Sequence, residues 1–235
     1  MQSWWSRRWF EIIAIVFFAG LCAASQILPH EIPGFAVEYA AGFNAMLSIG
    51  TSGLASFLFY YLVSEGLERR RRNFLRTSIE STYRDAKRNI ASAIIHASRK
   101  GGRSDLTANN ETVEKALTPA GFKSLFEGGR EANEGYYAFQ NEMSSHTYEY
   151  DEIVFNLRII ARAAERLVDS GAVDNQSAYG FFVRLSALVQ RIEHNGAGYD
   201  ESKPLCGFLW EIFAGWNSIE GDLGGDPIQR TIEKL

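Results

Sequence analysis

The feature that most constrains the fold is an apolar run from Ala40 to Phe59, bordered by Tyr39, Tyr60 and Tyr61. A helix of 20 residues extends about 30 Å, which matches the thickness of the hydrocarbon layer of a bilayer. Tyrosine side chains are common at both lipid–water boundaries. The run therefore predicts a membrane-spanning helix over about residues 39–61.

A second apolar stretch, Ile12 to Leu28, precedes this run and predicts another span over about residues 9–28. A basic start and the small pair Ala23-Ala24 would also suit a cleavable signal peptide. A tryptophan cluster typical of a lipid interface favours an uncleaved helix instead; its members are Trp4, Trp5 and Trp9. Pro29, Pro33 and Gly34 shorten the connection, so residues 1–64 are predicted to form an antiparallel transmembrane hairpin.

The distribution of basic residues predicts the orientation of this hairpin. Two arginines precede the first span, no Lys or Arg lies between the spans, and Arg69, Arg70, Arg71 and Arg72 follow the second. Because basic residues accumulate on the cytoplasmic side, both termini are expected in the cytoplasm, in a two-pass inner-membrane protein. The four arginines would bind anionic lipid headgroups.

Charge divides the rest of the chain at Gly101-Gly102. Residues 65–103 hold 11 basic and 4 acidic residues, and residues 104–235 hold 11 basic and 21 acidic residues. The first segment is predicted to be a basic juxtamembrane helix that continues the second span. The second is predicted to be an acidic cytoplasmic domain, whose charge disfavours nucleic acid as a partner.

Apolar spacing of three and four residues predicts that the cytoplasmic part is helical throughout, as a bundle. One helix is expected to reach about Arg99, and one of about 40 residues, with a kink near Ser144 and Ser145, is expected between Glu131 and Gly171. Asp174 and Asp226 are expected to cap later helices. No segment alternates as a half-buried strand does, so the predicted fold class is all-α.

The most specific candidate site lies in the second predicted span. Polar or small side chains recur there every four residues, at Asn44, Ser48, Ser52 and Ser56. Such spacing lets helices approach closely and form hydrogen bonds across their interface. The alternative is that several copies assemble with these side chains around a polar pore. Both interpretations predict a homo-oligomer.

Signals for chemistry are weak. Glu142, His146 and Asp151 could share a helix face, but neither the Glu-x-x-His pairs of di-iron bundles nor His-Glu-x-x-His occurs. The Arg-to-His spacing of helical nucleases of the HEPN class, phosphate-binding loops and Gly-x-Ser-x-Gly elbows are missing as well. We therefore predict no catalytic residue, no metal and no cofactor.

The hairpin, the charged exit from Glu65 through Glu68 to Arg72, and the helical remainder resemble small bacterial two-transmembrane effectors of antiphage defence, including retron-associated ones. The resemblance implies that a sensed phage signal releases or assembles the protein and that the membrane is then damaged. The expected function is a non-enzymatic effector that receives a protein or small-molecule signal and oligomerises through its spans. The alternative is a membrane-anchored scaffold or sensor whose acidic domain recruits a cytosolic protein.

Overall fold

The computed structural model of the protein describes residues 13, 15–20, 22–23, 40–60, 63, 66–126, 134–173, 175–196 and 198–235. Two compact units make up the chain, Met1–Arg71 and Arg72–Leu235. The described residues are mostly helical, which confirms the all-α prediction. In chain order the helices are α1 (Ala40–Tyr60), α2 (Gly66–Lys100), α3 (Asn110–Ala116), α4 (Pro119–Phe126), α5 (Glu134–Met143), α6 (Tyr148–Asp169), α7 (Gln176–Asn195), α8 (Tyr199–Ala214) and α9 (Pro227–Glu233).

A two-residue antiparallel pair, β1 (Trp216–Asn217) and β2 (Gly221–Asp222), lies between α8 and α9. Trp216 is opposite Asp222, and Asn217 is opposite Gly221. The pair is too short for the period-two alternation that predicts strands from sequence. These are the only strands in the described part of the chain.

Side-chain oxygens define several helix starts. The Asp226 carboxylate accepts hydrogen bonds from the backbone N–H groups of Ile228 and Gln229, as its predicted capping role requires. Asn175 caps α7 in the same way, whereas the predicted cap Asp174 lies outside the described residues. Local sequence therefore specifies where these helices begin.

The helix predicted over about residues 131–171 is two helices instead. α5 ends at Met143 and α6 begins at Tyr148, with Thr147 accepting a hydrogen bond from Tyr150 N–H. The Ser144 hydroxyl also donates to Asn141 O, so the last turn of α5 is closed by a side chain. Polar side chains that bond to nearby backbone groups favour a helix break over continuation.

In the first unit, α1 packs through its small residues. A Cβ placed on Gly50 would lie 2.7 Å from Cys22 Sγ and 3.3 Å from Phe18 O, and one on Gly53 would collide with the Phe18 ring. Only glycine therefore allows this approach of Phe18 and Cys22 to α1. The contact fixes one face of α1 against the preceding segment.

The predicted membrane hairpin is not supported. In the described part of the chain, no helix is both long enough and apolar enough to cross a bilayer, so the expected two-pass inner-membrane localisation is wrong. α1 has 21 residues, but polar side chains and glycines interrupt its apolar sequence: Asn44, Ser48, Thr51, Ser52, Ser56, Gly42, Gly50 and Gly53. The prediction relied on the length of this segment and gave too little weight to its polar residues. The other predicted span, 9–28, lies largely outside the described residues.

The second unit has one hydrophobic core, to which the part of α2 from Ile79 onward contributes a buried stripe. At its centre is an aromatic cluster in which the Phe122 ring lies 4.6 Å from Phe126, 5.1 Å from Phe213 and 5.6 Å from Trp210, measured between centroids. α6 and α7 pack side by side, and the Ser186 hydroxyl of α7 donates to Ala161 O of α6. α6 also contacts α2 through the side chains of Asn156 and Asn89, and the strongest candidate site lies between these two helices.

Candidate functional site

The four stripe residues predicted from sequence, Asn44, Ser48, Ser52 and Ser56, are all exposed on α1. At 3.6 residues per turn Ser48 lies on the side of the helix opposite Gly50 and Gly53, whereas Ser56 is three residues from Gly53 and lies next to it on the helix surface. Phe18 and Cys22 pack against the glycine face, so the described contacts of the first unit do not run through the stripe. Exposed apolar side chains flank it, including Ile49 at 59% exposure and Phe59 at 70%.

The predicted headgroup-binding arginines lie in the first turns of α2. Arg69, Arg70 and Arg71 are exposed and Arg72 is partly buried. Arg71 Nη1 is 3.9 Å from Glu68 Oε2, an exposed i,i+3 pair that contributes little to stability. Their binding to anionic lipid headgroups stays a prediction.

His146 does not organise a metal site. Its Nδ1 is 4.0 Å from Asp151 Oδ1, and both side chains are about 70% exposed. In the described part of the chain, no three His, Cys, Asp or Glu side chains are grouped closely enough to hold a metal ion. His146 packs edge-on against the Tyr150 ring instead, with centroids 5.5 Å apart.

A cleft of about 260 Å³ between α2 and the start of α6 is the best candidate site. The two helices run antiparallel here, since Asn89 Nδ2 donates to Asn156 Oδ1 at 3.2 Å near one end and Lys100 Nζ lies 2.5 Å from Glu149 Oε1 near the other. The residues lining the cleft are mostly polar: Asn89, Ser92, His96, Tyr148, Glu149 and Glu152. Ligand sites commonly lie between the helices of a bundle, although most are larger and more apolar than this cleft.

Glu149 is the most unusual residue of this cleft. It is 6% exposed, and its Oε2 is buried without a hydrogen-bond partner among the described residues. Burial alone would raise the pKa of Glu149, but Lys100, its own backbone N–H and the nearby His96 together lower it. The cleft therefore holds an ionised carboxylate with one oxygen unsatisfied, a state that costs about 1–3 kcal/mol or more.

The remaining groups of the cleft are arranged around this carboxylate. His96 Nδ1 lies 2.8 Å from Ser92 O, and because a carbonyl only accepts, Nδ1 carries the proton. Asn156 Nδ2 donates to Glu152 Oε1 at 3.1 Å, which fixes a second carboxylate. Tyr148 is 74% exposed and forms an aromatic wall. The set suits a ligand that is cationic, planar and rich in N–H donors.

Sequence reasoning did not find this cleft. Its residues come from two helices that are distant in the chain, and nothing in the spacing of either helix indicates that they cross. One local signal was present, because Glu149 and Asp151 follow Thr147 in the first turn of α6, a pattern typical of a helix start. That signal predicts the position of Glu149 on a helix but not its burial.

No family model, no curated protein and no solved structure matches this chain. The function must therefore be inferred from the described residues themselves.

Proposed function

We propose that the second unit is a non-enzymatic recruitment domain that binds an arginine-containing segment of a partner protein in the cleft between α2 and α6. The observation that carries the proposal is the buried, partnerless Oε2 of Glu149. It retains the sensor or scaffold alternative suggested by the acidic composition.

The chemistry of the cleft favours arginine. A guanidinium presents five N–H donors in a planar fork, so it can satisfy Glu149 Oε2, after a small rotation of that carboxylate, and bind Glu152 as well. The exposed Tyr148 ring offers a face for a cation–π contact. The excess of 21 acidic over 11 basic residues in 104–235 would attract such a segment over longer distances.

A peptide titration tests this proposal. Glu149→Gln should weaken binding of an acetylated hexa-arginine amide by about tenfold or more, because one charge-assisted hydrogen bond contributes roughly 1.5–3 kcal/mol. Calorimetry of the full chain gives the dissociation constant. Hexa-lysine, which has the same charge but no planar fork, should bind less tightly than hexa-arginine.

The matched control is Asp169→Asn, which removes the same charge from an exposed position on α6. It should change the affinity by less than about twofold, since exposed charges contribute little. Equal affinities for the two variants would show only diffuse charge attraction and would contradict binding in the cleft.

A second candidate function is self-association of the first unit through the stripe formed by Asn44, Ser48, Ser52 and Ser56. It is supported by the exposure of all four residues, and by the exposed apolar side chains beside them. Contiguous exposed apolar surface commonly marks an interaction site. The resemblance to antiphage effectors remains a prediction, in which a signal would control this association.

Mass photometry of the full chain tests the association. The double variant Ser48→Arg, Ser52→Arg should reduce the oligomeric fraction by about tenfold or more, because two buried charges without partners are costly at a helix interface. The control double variant Thr77→Arg, Ser81→Arg places the same charges with the same spacing on exposed positions of α2. An identical mass distribution for all three proteins would count against the stripe.

A further inference from the structure

Two adjoining cavities lie around the β1–β2 hairpin, away from the α2–α6 cleft. One, of about 370 Å³, is lined by Trp210 and Trp216. The other, of about 380 Å³, is lined by Arg184, Arg230 and Lys234. Glu211 and Asn217 line both cavities, so the aromatic side and the basic side adjoin at a shared wall.

The basic cavity is exceptional in a segment with excess acid. Arg184 comes from α7, and Arg230 and Lys234 come from α9 and the residue after it. None of the three side chains has an ion pair or hydrogen bond to another described residue, although two acidic side chains, Glu211 and Glu220, line the same cavity. Converging unpaired cations are the arrangement that binds phosphate, and arginine does so bidentately.

The aromatic cavity has one fixed wall and one exposed wall. Trp210 is held by ring contacts, with centroids 5.0 Å from Tyr136 and 5.6 Å from Phe122. Trp216 lies in β1 and remains 41% exposed. A rigid indole beside an accessible one is suited to stacking a flat heterocycle, and such stacking contributes substantially to nucleotide binding.

The hairpin that separates the cavities is well anchored. Asn217 Oδ1 accepts hydrogen bonds from the backbone N–H groups of Ile219 and Glu220 at 3.0 and 2.7 Å. At the base, Leu223 N–H donates to Gly215 O at 2.7 Å. Gly215 has a φ of 65°, and a Cβ there would lie 3.0 Å from Gly225 Cα, so the backbone closes tightly.

From this geometry we propose that the two cavities form one binding site for a ligand of the nucleoside monophosphate class. The phosphate binds Arg184, Arg230 and Lys234, and the base stacks on Trp210 and Trp216. The sugar hydroxyls lie between them, within reach of Asn217 and Glu211. Each cavity volume falls in the range of small-ligand sites, about 300–1,000 Å³.

The acidic groups of the basic cavity are compatible with an anion. Burial raises the pKa of Glu211, the hydrogen bond with Asn217 opposes this, and the nearby Glu220 raises it further. Glu211 therefore takes up a proton at a higher pH than an ordinary glutamate does. Glu220 is exposed on the hairpin, where solvent screens its charge.

Calorimetric titration of the full chain with AMP, GMP, CMP and UMP tests the proposal, with inorganic phosphate and adenosine as partial ligands. At least one nucleotide should bind at least tenfold more tightly than either partial ligand. The double variant Arg184→Gln, Arg230→Gln should lose about tenfold or more of that affinity. Trp216→Ala should weaken nucleotide binding while leaving the phosphate affinity unchanged.

The control is Arg191→Gln, an exposed α7 arginine outside both cavities, which should bind as the wild type does. Thermal unfolding of each variant checks that the fold is retained. We expect the arginine variants to fold because the substituted side chains are exposed. Binding of none of the four nucleotides would overturn the proposal. Equal affinity for phosphate and nucleotide would overturn it as well, as would equal nucleotide affinity for the double variant and the control.

Discussion

Replacing Asp226 by alanine is expected to lower the free energy of unfolding by about 3–5 kcal/mol, the cost of leaving a buried charge without its partner. Asp226 Oδ2 lies 2.6 Å from Lys87 Nζ, and these side chains are 7% and 12% exposed. The same oxygen accepts a hydrogen bond from the Tyr83 hydroxyl. Oδ1 caps α9, so one substitution removes an ion pair, a hydrogen bond and a helix cap.

Lys87 has no comparable alternative in its surroundings. Its Nζ lies 5.3 Å from the centre of the Phe213 ring, a cation–π contact that cannot replace a carboxylate. Burial, and then the charge of Asp226 and the hydrogen bond to it, raise the pKa of Tyr83 well above its ordinary value. The phenol therefore keeps its proton and donates a hydrogen bond to Asp226 throughout the neutral range.

Urea denaturation followed by circular dichroism measures the loss. Asp169→Ala, at an exposed position on α6, is the control and should change the free energy of unfolding by at most about 0.5 kcal/mol. The double variant Lys87→Met, Asp226→Asn should be more stable than the sum of the single effects implies, since it leaves no isolated charge. Additive effects would show that the pair is not coupled.

The Phe122→Ala substitution is expected to cost about 3–5 kcal/mol, the usual range for removing a large aromatic side chain from a core. Phe122 is fully buried, and its ring is in contact with those of Phe126, Tyr136, Trp210 and Phe213. These rings come from α4 itself and from two other helices, α5 and α8, so relaxation cannot easily fill the cavity. The loss of stability is the sum of the transfer free energy of the removed atoms and the cost of the cavity left behind.

Phe155→Ala is the matched control, because Phe155 lies on α6 with 54% of its surface exposed. Its loss should be within about 0.5 kcal/mol in the same urea experiment. A similar loss for both variants would indicate that the Phe122 site collapses around the deletion and that the cluster is not rigid. Phe122→Leu should fall between the two, since it keeps part of the buried volume.

Helical periodicity and capping residues predicted most of the second unit, because each of those signals depends on a few neighbouring residues. The capped start of α9 at Asp226 is such a case. The break between α5 and α6 was predicted only as a kink near Ser144 and Ser145, because apolar spacing continues from Met143 to Tyr150 across it, while the competing signal from Thr147 is a single hydrogen bond. Local polar bonding outweighed a pattern that extends over many residues.

The membrane prediction was wrong for a related reason. The length of α1 was judged by its apolar residues, and the polar residues between them were interpreted as a feature of a membrane helix. The same polar residues form the predicted stripe, which could be recognised from the sequence because all of its members lie on one helix. The α2–α6 cleft and the two hairpin cavities could not be predicted, because each requires a helix crossing or a turn that brings distant segments together.

The contact between Lys87 and Asp226 has a consequence for synthesis of the chain. The two residues are separated by 139 positions, and Arg76 reaches the Glu233 carbonyl over 157. While the ribosome is still making the intervening helices, α2 displays the apolar stripe around Ile79 and Tyr83 to solvent, with a lysine whose counter-ion does not yet exist. Closing so long a loop costs only roughly 0.6 kcal/mol more than closing a loop of half its length. The late synthesis of Asp226 therefore affects when the contact forms more than how stable it is. We expect nascent chains shorter than this span to depend on chaperones, which bind exposed apolar surface until Asp226 arrives.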